Sequence, residues 1–218
     1  MKYKRKLYDA DKINNFRELI DRYSKLYSNQ IAFEYKETPS SKEHIKITYS
    51  QFVNDIRSFG TALINLGLSQ KKVAIISPNR YEWCVSYLAI TTSDIVVVPL
   101  DRALPDNEIE SLIIRSEADA VIFDKKYAEI FSKIAKEKNS KLTQYICMDD
   151  LADFSTFTGL IQKGHSLLLN GDNKYDNVKL DNKKMSIMLF TSGTTSISKA
   201  VALSQSNICE DIYALAQM

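Results

Sequence analysis

The chain has 218 residues, 44% of them hydrophobic and 26% charged, which is enough apolar material for one large globular core or two small ones. Its 29 Lys and Arg against 27 Asp and Glu leave a formal charge of +2, interspersed apart from a basic stretch at Lys2 to Lys6, so nothing asks for nucleic acid as a partner. No apolar segment of signal-peptide or membrane-span length follows that stretch, which leaves peripheral contact with an anionic membrane surface as its one membrane role; a solvated basic terminus is the plainer reading.

Ile13, Phe16, Leu19, Ile20, Tyr23, Leu26 and Tyr27 recur at steps of three and four, the spacing of one helix face. Ile31 to Tyr35 and Ile45 to Tyr49 read as a strand pair around a polar loop that carries Pro39, Ser40 and Ser41. Ser50 then suits the cap of a helix whose buried face runs through Phe52, Ile56, Phe59, Leu63 and Leu66, with Gly67 as its left-handed stop. Beyond it the pattern changes to short, continuously apolar runs at residues 73–76 and 95–98, as expected of strands buried on both faces. A helix-like segment, Trp83 to Ile90, separates them.

The alternation continues with a helix near 106–116, a strand at 120–123, a helix near 125–138, a strand around 145–148 and a helix at 157–169. Asn170 to Lys174 form a polar surface connection, and Ser186 to Phe190 a further strand. Strand and helix trading places predicts an α/β fold with a mainly parallel sheet flanked by helices. Cys84, Cys147 and Cys209 lack the spacing of metal or disulfide frameworks, which points to free thiols and a cytoplasmic setting. His44 and His165 sit in polar surroundings and read as surface residues, and no metal-ligating set stands out.

The last of these strands runs into Thr191-Ser192-Gly193-Thr194-Thr195-Ser196-Ile197-Ser198-Lys199, in which six of nine residues carry hydroxyls. Hydroxyls, backbone N–H groups left accessible by Gly193 and one cation suit a polyphosphate. The usual NTPase phosphate loop is excluded, because Ser198-Lys199 is followed by Ala200 rather than Ser or Thr. On composition alone a polar turn explains the same residues.

Leu189 to Thr195, with Lys199-Ala200-Val201 and Leu203 to Ile208, closely resembles the phosphate-loop signature of adenylate-forming (AMP-binding) enzymes. Ile47 to Phe52 and Leu88 to Asp101 are similar to earlier segments of that family, so the resemblance covers most of the chain. Ser77-Pro78-Asn79-Arg80-Tyr81-Glu82-Trp83 is particularly similar to its fatty-acid members, the long-chain acyl-CoA synthetases. Asn79 and Trp83 also read as a helix cap and a core aromatic.

The resemblance implies that residues 1–218 are the N-terminal part of an AMP-binding (adenylation) domain, an incomplete N-terminal subdomain of the acyl-CoA synthetase-like fold. It implies ATP, Mg²⁺ and CoA as reaction partners, with a fatty acid or another carboxylic acid as substrate. Thr191, Ser192, Gly193, Thr194, Thr195, Ser196 and Lys199 would hold the β- and γ-phosphates of ATP while the carboxylate attacks the α-phosphate.

The sequence departs from the family at Ser196, Ser198 and Ala200, where relatives usually have Gly, Pro and Gly, and at Gln205, often His; the first three put loop geometry in question. The adenine-binding segment, the rest of the large domain and the C-terminal lid with its catalytic lysine have no counterpart in these residues. No catalytic residue is assigned, and Lys199 is not that lysine. A chain ending at Met218, inside the helix after the loop, is expected to be cut, by design or by an early stop, and to expose surface prone to self-association. The competing reading is a non-catalytic, decayed relative that serves as a binding module.

Overall fold

The computed structural model describes residues 9–191 and 198–217. A first helix, α1 (Phe16–Tyr27), leads into a two-stranded antiparallel hairpin of β1 (Ile31–Tyr35) and β2 (Ile45–Thr48) and then the long helix α2 (Tyr49–Asn65). Four parallel strands follow: β3 (Lys72–Ile76), β4 (Val96–Pro99), β5 (Ala120–Phe123) and β6 (Gln144–Cys147). Their crossovers carry α3 (Tyr81–Thr91), α4 (Asp106–Ser116) and α5 (Ala128–Glu137), the last entered through a 3₁₀ turn at Lys125–Tyr127. A two-residue strand β7 (Ser155–Thr156), α6 (Phe157–Leu169) and the short α7 (Lys174–Asn177) then lead to the hairpin β8 (Met185–Thr191) and β9 (Lys199–Ser204), and α8 (Gln205–Ala216) closes the chain.

The large sheet has the order β7-β6-β5-β3-β4-β8-β9, parallel throughout except for the antiparallel β8–β9 pair, so the expected α/β fold with a mainly parallel sheet is present. Because successive side chains of a strand face opposite ways, each apolar run feeds two cores. Val73 and Ile75 of β3 and Ala120 and Ile122 of β5 join one cluster with Phe52, Ile56, Phe59 and Leu160. Ala74 and Ile76 of β3 and Val121 and Phe123 of β5 join the other, with Ile109, Ile113, Phe131 and Ile134 from α4 and α5.

Local sequence explains the ends of α2. Thr48, rather than the expected Ser50, is its N-cap and accepts from the Gln51 N–H (3.2 Å); Ser50 falls inside the first turn because the helix starts at Tyr49. Gly67 takes a φ of 77° as expected, with its N–H on the Ile64 carbonyl and the Leu68 N–H on that of Leu63, a Schellman stop. Where α6 crosses α2, a Cβ at Gly164 would stand 1.8 Å from the Ser58 carbonyl oxygen, so the two backbones touch only because this residue is glycine.

One other expectation changes. The apolar face of α1 is buried at Phe16 and Ile20, but Tyr23, Leu26 and Tyr27 remain exposed. Tyr23 and Tyr27 instead cluster with Tyr49, with ring centroids 5.7 to 6.2 Å apart. The final helix α8 begins at a capping box of Ser204 and Asn207, each side chain bonded to the other's backbone N–H. Cys84 is half-buried and Cys147 and Cys209 are buried, all three as free thiols, while His44 and His165 lie on the surface as expected.

Candidate functional site

In a parallel α/β sheet, ligands gather outside the carboxyl ends of the strands, near the point where successive connections leave for opposite faces. Here that point lies between β3 and β4. The crossover from β3 leads to β4 on one side, and the crossover from β4 leads to β5 on the other side of β3. At this edge stand Ser77 to Arg80 after β3, Leu100 and Asp101 after β4, Asp124 after β5, Asp149 after β6 and Thr191 at the end of β8.

Of the seven sequence-predicted loop residues, Ser192, Gly193, Thr194, Thr195 and Ser196 lie outside the described residues. The two that bracket them are brought together: Thr191 and Lys199 are partners in the terminal pair of the β8–β9 ladder. Both are exposed. Two of the three family departures flanking Lys199 are accommodated. Ala200 pairs with Phe190 as an ordinary strand residue, and neither it nor Ser198 is among the described non-glycine residues with positive φ, Gln70, Asp94, Glu117 and Lys138. The glycine that relatives usually have at position 200 is therefore not needed here for a left-handed backbone.

Sequence reasoning missed the hub of this edge. Arg80 donates through Nε to Glu82 (2.7 Å) and through one terminal nitrogen to Asp124 (2.9 Å) and Asp149 (3.0 Å), tying the ends of β3, β5 and β6 together. Asp149 also accepts from the Lys125 N–H at 3.0 Å. Burial pulls the Arg80 guanidinium down, but the bonds and charges of Glu82 and Asp149 outweigh it and the net shift is upward. The available signal was an Asp placed just after each of two apolar runs.

Asn79 is not the cap of α3. Arg80 occupies that position, with extended backbone and no side-chain cap bond. Asn79 instead lines a cleft of about 810 Å³, together with Tyr35, Arg80, Tyr81, Cys84 and Asp149. Trp83 packs partly buried against the core and stacks on Tyr87, with centroids 5.2 Å apart. Beneath the cleft the Tyr81 hydroxyl donates to Asp55 at 2.7 Å. Burial pushes the Asp55 carboxyl up, against the hydrogen bond from Tyr81 and the charge of His165, and burial and Asp55 together push the Tyr81 phenol up.

Gln205 lies at the opposite edge of the sheet, because β9 runs antiparallel and returns the chain to the start of β8. Its side chain is buried: Oε1 accepts from the Phe16 N–H (2.8 Å), and Nε2 donates to the Thr91 carbonyl (2.8 Å) and to Ser186 Oγ (3.3 Å). It binds α1, α3 and β8 into one body and takes no part in the loop edge. Among the described residues, no group of three or more His, Cys, Asp or Glu side chains could hold a metal ion.

The solved structures with this fold define its class. A long-chain-fatty-acid-CoA ligase from Archaeoglobus fulgidus superposes with a TM-score of 0.81 over 99% of this chain and 42% of its own, at 16% identity. An anthranilate CoA ligase in complex with anthranoyl-AMP does so with a TM-score of 0.71 over 93% of this chain and 36% of its own, at 18% identity. The fold is that of acyl-CoA ligases over their N-terminal part.

The chain belongs to the AMP-binding enzyme family, whose model matches residues 20–218. Among curated relatives, long-chain-fatty-acid–CoA ligase 5 of Rattus norvegicus is 28% identical over 77% of this chain and 26% of its own length. The 4-hydroxybutyrate–CoA ligase 2 of Metallosphaera sedula is 23% identical over 84% of this chain and 32% of its own length. The chain thus spans about a quarter to a third of the relatives it matches.

Proposed function

We propose that residues 1–218 are the N-terminal part of the adenylation domain of an ATP-dependent fatty acid–CoA ligase and contribute its phosphate-binding loop. In that reaction a carboxylate oxygen attacks the α-phosphorus of ATP, giving an acyl-adenylate and pyrophosphate. The CoA thiol then attacks the acyl carbon, forming the thioester and releasing AMP. The remainder of the large domain and the C-terminal lid would supply the adenine site and the catalytic lysine.

The observation that carries this reading is the facing of Thr191 and Lys199 across the end of the β8–β9 ladder, at the carboxyl edge of a parallel sheet. A hydroxyl and an ammonium at that edge suit the leaving pyrophosphate, whose developing charge preorganised donors stabilise. Mg²⁺ would arrive on the polyphosphate and neutralise part of its charge, and no protein ligand is assigned to it. The preference for a fatty acyl substrate is supported by the 77–83 segment and by the name of the rat relative. The Metallosphaera relative, named for 4-hydroxybutyrate, supports other carboxylic acids as alternatives.

Calorimetric titration of the chain with Mg·ATP, beside Lys199→Ala, tests the reading. Saturable binding that the variant loses is the expected result, and an absence of binding to both would remove nucleotide binding from this chain on its own. A decayed, non-catalytic relative is the second reading, favoured by Ser196 in place of the family's usual glycine. On the first reading Ser196→Gly retains or strengthens binding; on the second it leaves the loop inert.

A further inference from the structure

Resting on that reading, we infer that Arg115 is a positioning residue for the phosphate site: it holds the Ser198 carbonyl and thereby fixes where Lys199 enters β9. Arg115 stands in the last turn of α4, where a cation is favoured by the helix dipole. Its guanidinium donates to the Ser198 carbonyl, across 83 residues of chain. It also lies over the Phe190 ring, 5.4 Å from the centroid. Phe190 directly precedes Thr191, and Ser198 directly precedes Lys199. One side chain therefore grips both arms of the hairpin at the step before the two predicted ligands.

Charge supports the assignment. Among the described residues, neither Arg115 nor Lys199 has a carboxylate within ion-pair distance, whereas Arg80 at the same edge engages three. Two cations left unneutralised at one end of a hairpin raise the local potential for an anion. One Arg115 donor is held by a backbone carbonyl and its guanidinium face by the Phe190 ring, an arrangement that suits a brace. A planar guanidinium can stack and donate at once, which an ammonium does less well.

The test compares the chain with Arg115→Ala, Arg115→Gln and Arg115→Lys. A lysine-specific protease acting on nucleotide-free protein reads the brace, through the rate of cleavage after Lys199 relative to cleavage after Lys163. Calorimetry with Mg·ATP reads the site. Expected is faster cleavage after Lys199 in Arg115→Ala with the Lys163 rate unchanged, and Mg·ATP binding weakened about fivefold, the scale of an exposed charge-assisted contact. Arg115→Lys should recover more of the binding than Arg115→Gln.

Wild-type rates of cleavage after Lys199 in Arg115→Ala would overturn the brace. Unchanged Mg·ATP affinity in that variant would overturn its role at the site. Should the parent chain bind no nucleotide, nucleotide binding by this chain on its own fails and takes the positioning role with it, while the protease comparison still decides whether the brace exists.

Discussion

The strands β3 and β5 and the hairpin β8–β9 belong to one sheet and live in different environments. Val73 to Ile76 and Ala120 to Phe123 are shielded on both faces by helices. In β9, Lys199, Ala200, Val201 and Ala202 are exposed, and β8 is joined to β4 through the single registered pair Val97 with Ile187, against four pairs between β3 and β4. Folding energy is therefore concentrated in the inner strands, and the residues suited to anion chemistry stand on the exposed margin. Core residues can be read as packing, and exposed ones at the margin are free to serve a ligand.

The sharpest way to break this contrast is to truncate one side chain on each side of it. Phe123 is fully buried against Phe131 and Phe154, at 4.7 and 5.0 Å between centroids. Phe123→Ala should cost about 4 kcal/mol and lower Tm by about 12 °C. Val201→Ser on β9 should change stability by less than about 0.5 kcal/mol. Equal losses in the two variants, measured by thermal melts, would show that the margin is as firmly packed as the centre.

Gln205 is expected to lie between these extremes, since it anchors the start of the marginal hairpin to the body. Gln205→Ala strands the Phe16 N–H and the Thr91 carbonyl in a buried site. That should cost about 2 kcal/mol and show as a lower urea midpoint with unchanged slope. A variant as stable as the parent would mean that α1 and β8 are held together by apolar contact alone.

The smallest effect concerns Asp55. Its folded pKa is raised by burial, so the folded chain keeps that proton to higher pH than the unfolded chain does. The associated stability is fully present below the unfolded value near ~3.9 and declines as pH rises through the folded value. Asp55→Asn keeps an acceptor for the Tyr81 hydroxyl and removes the decline. The variant should therefore gain on the parent between about pH 4 and pH 7, by under about 1 kcal/mol for a half-buried carboxyl still partly screened by solvent. A constant difference between the two across that range would show that Asp55 titrates normally.

Much of the sheet was legible in advance because each inner strand is a short apolar run and the crossover helices α4 and α5 each have an amphipathic face. The β9 strand was not, since Lys199-Ala200-Val201-Ala202-Leu203-Ser204 lacks both a buried run and clean alternation, and it forms by pairing with β8. Periodicity also overstated the buried face of α1: it marks one side of a helix and says nothing of how far the neighbouring body extends. At the site, Thr191 and Lys199 were legible as the ends of a motif, whereas Arg80, Arg115 and Gln205 act through partners distant in sequence.

The sequence by itself determined the parallel α/β character, the stop at Gly67 and the hydroxyl-rich loop with its terminal lysine. These depend on side-chain pattern over a few neighbouring positions, where burial and local hydrogen bonding act directly. Only the tertiary structure decided that β5 crosses to the far side of β3, that Arg80 gathers three carboxylates, and that Gln205 meets Phe16 across 189 residues of chain. Such contacts form when helices and strands already shaped by local pattern pack together, and no short stretch of sequence records which distant residue will be there to meet them.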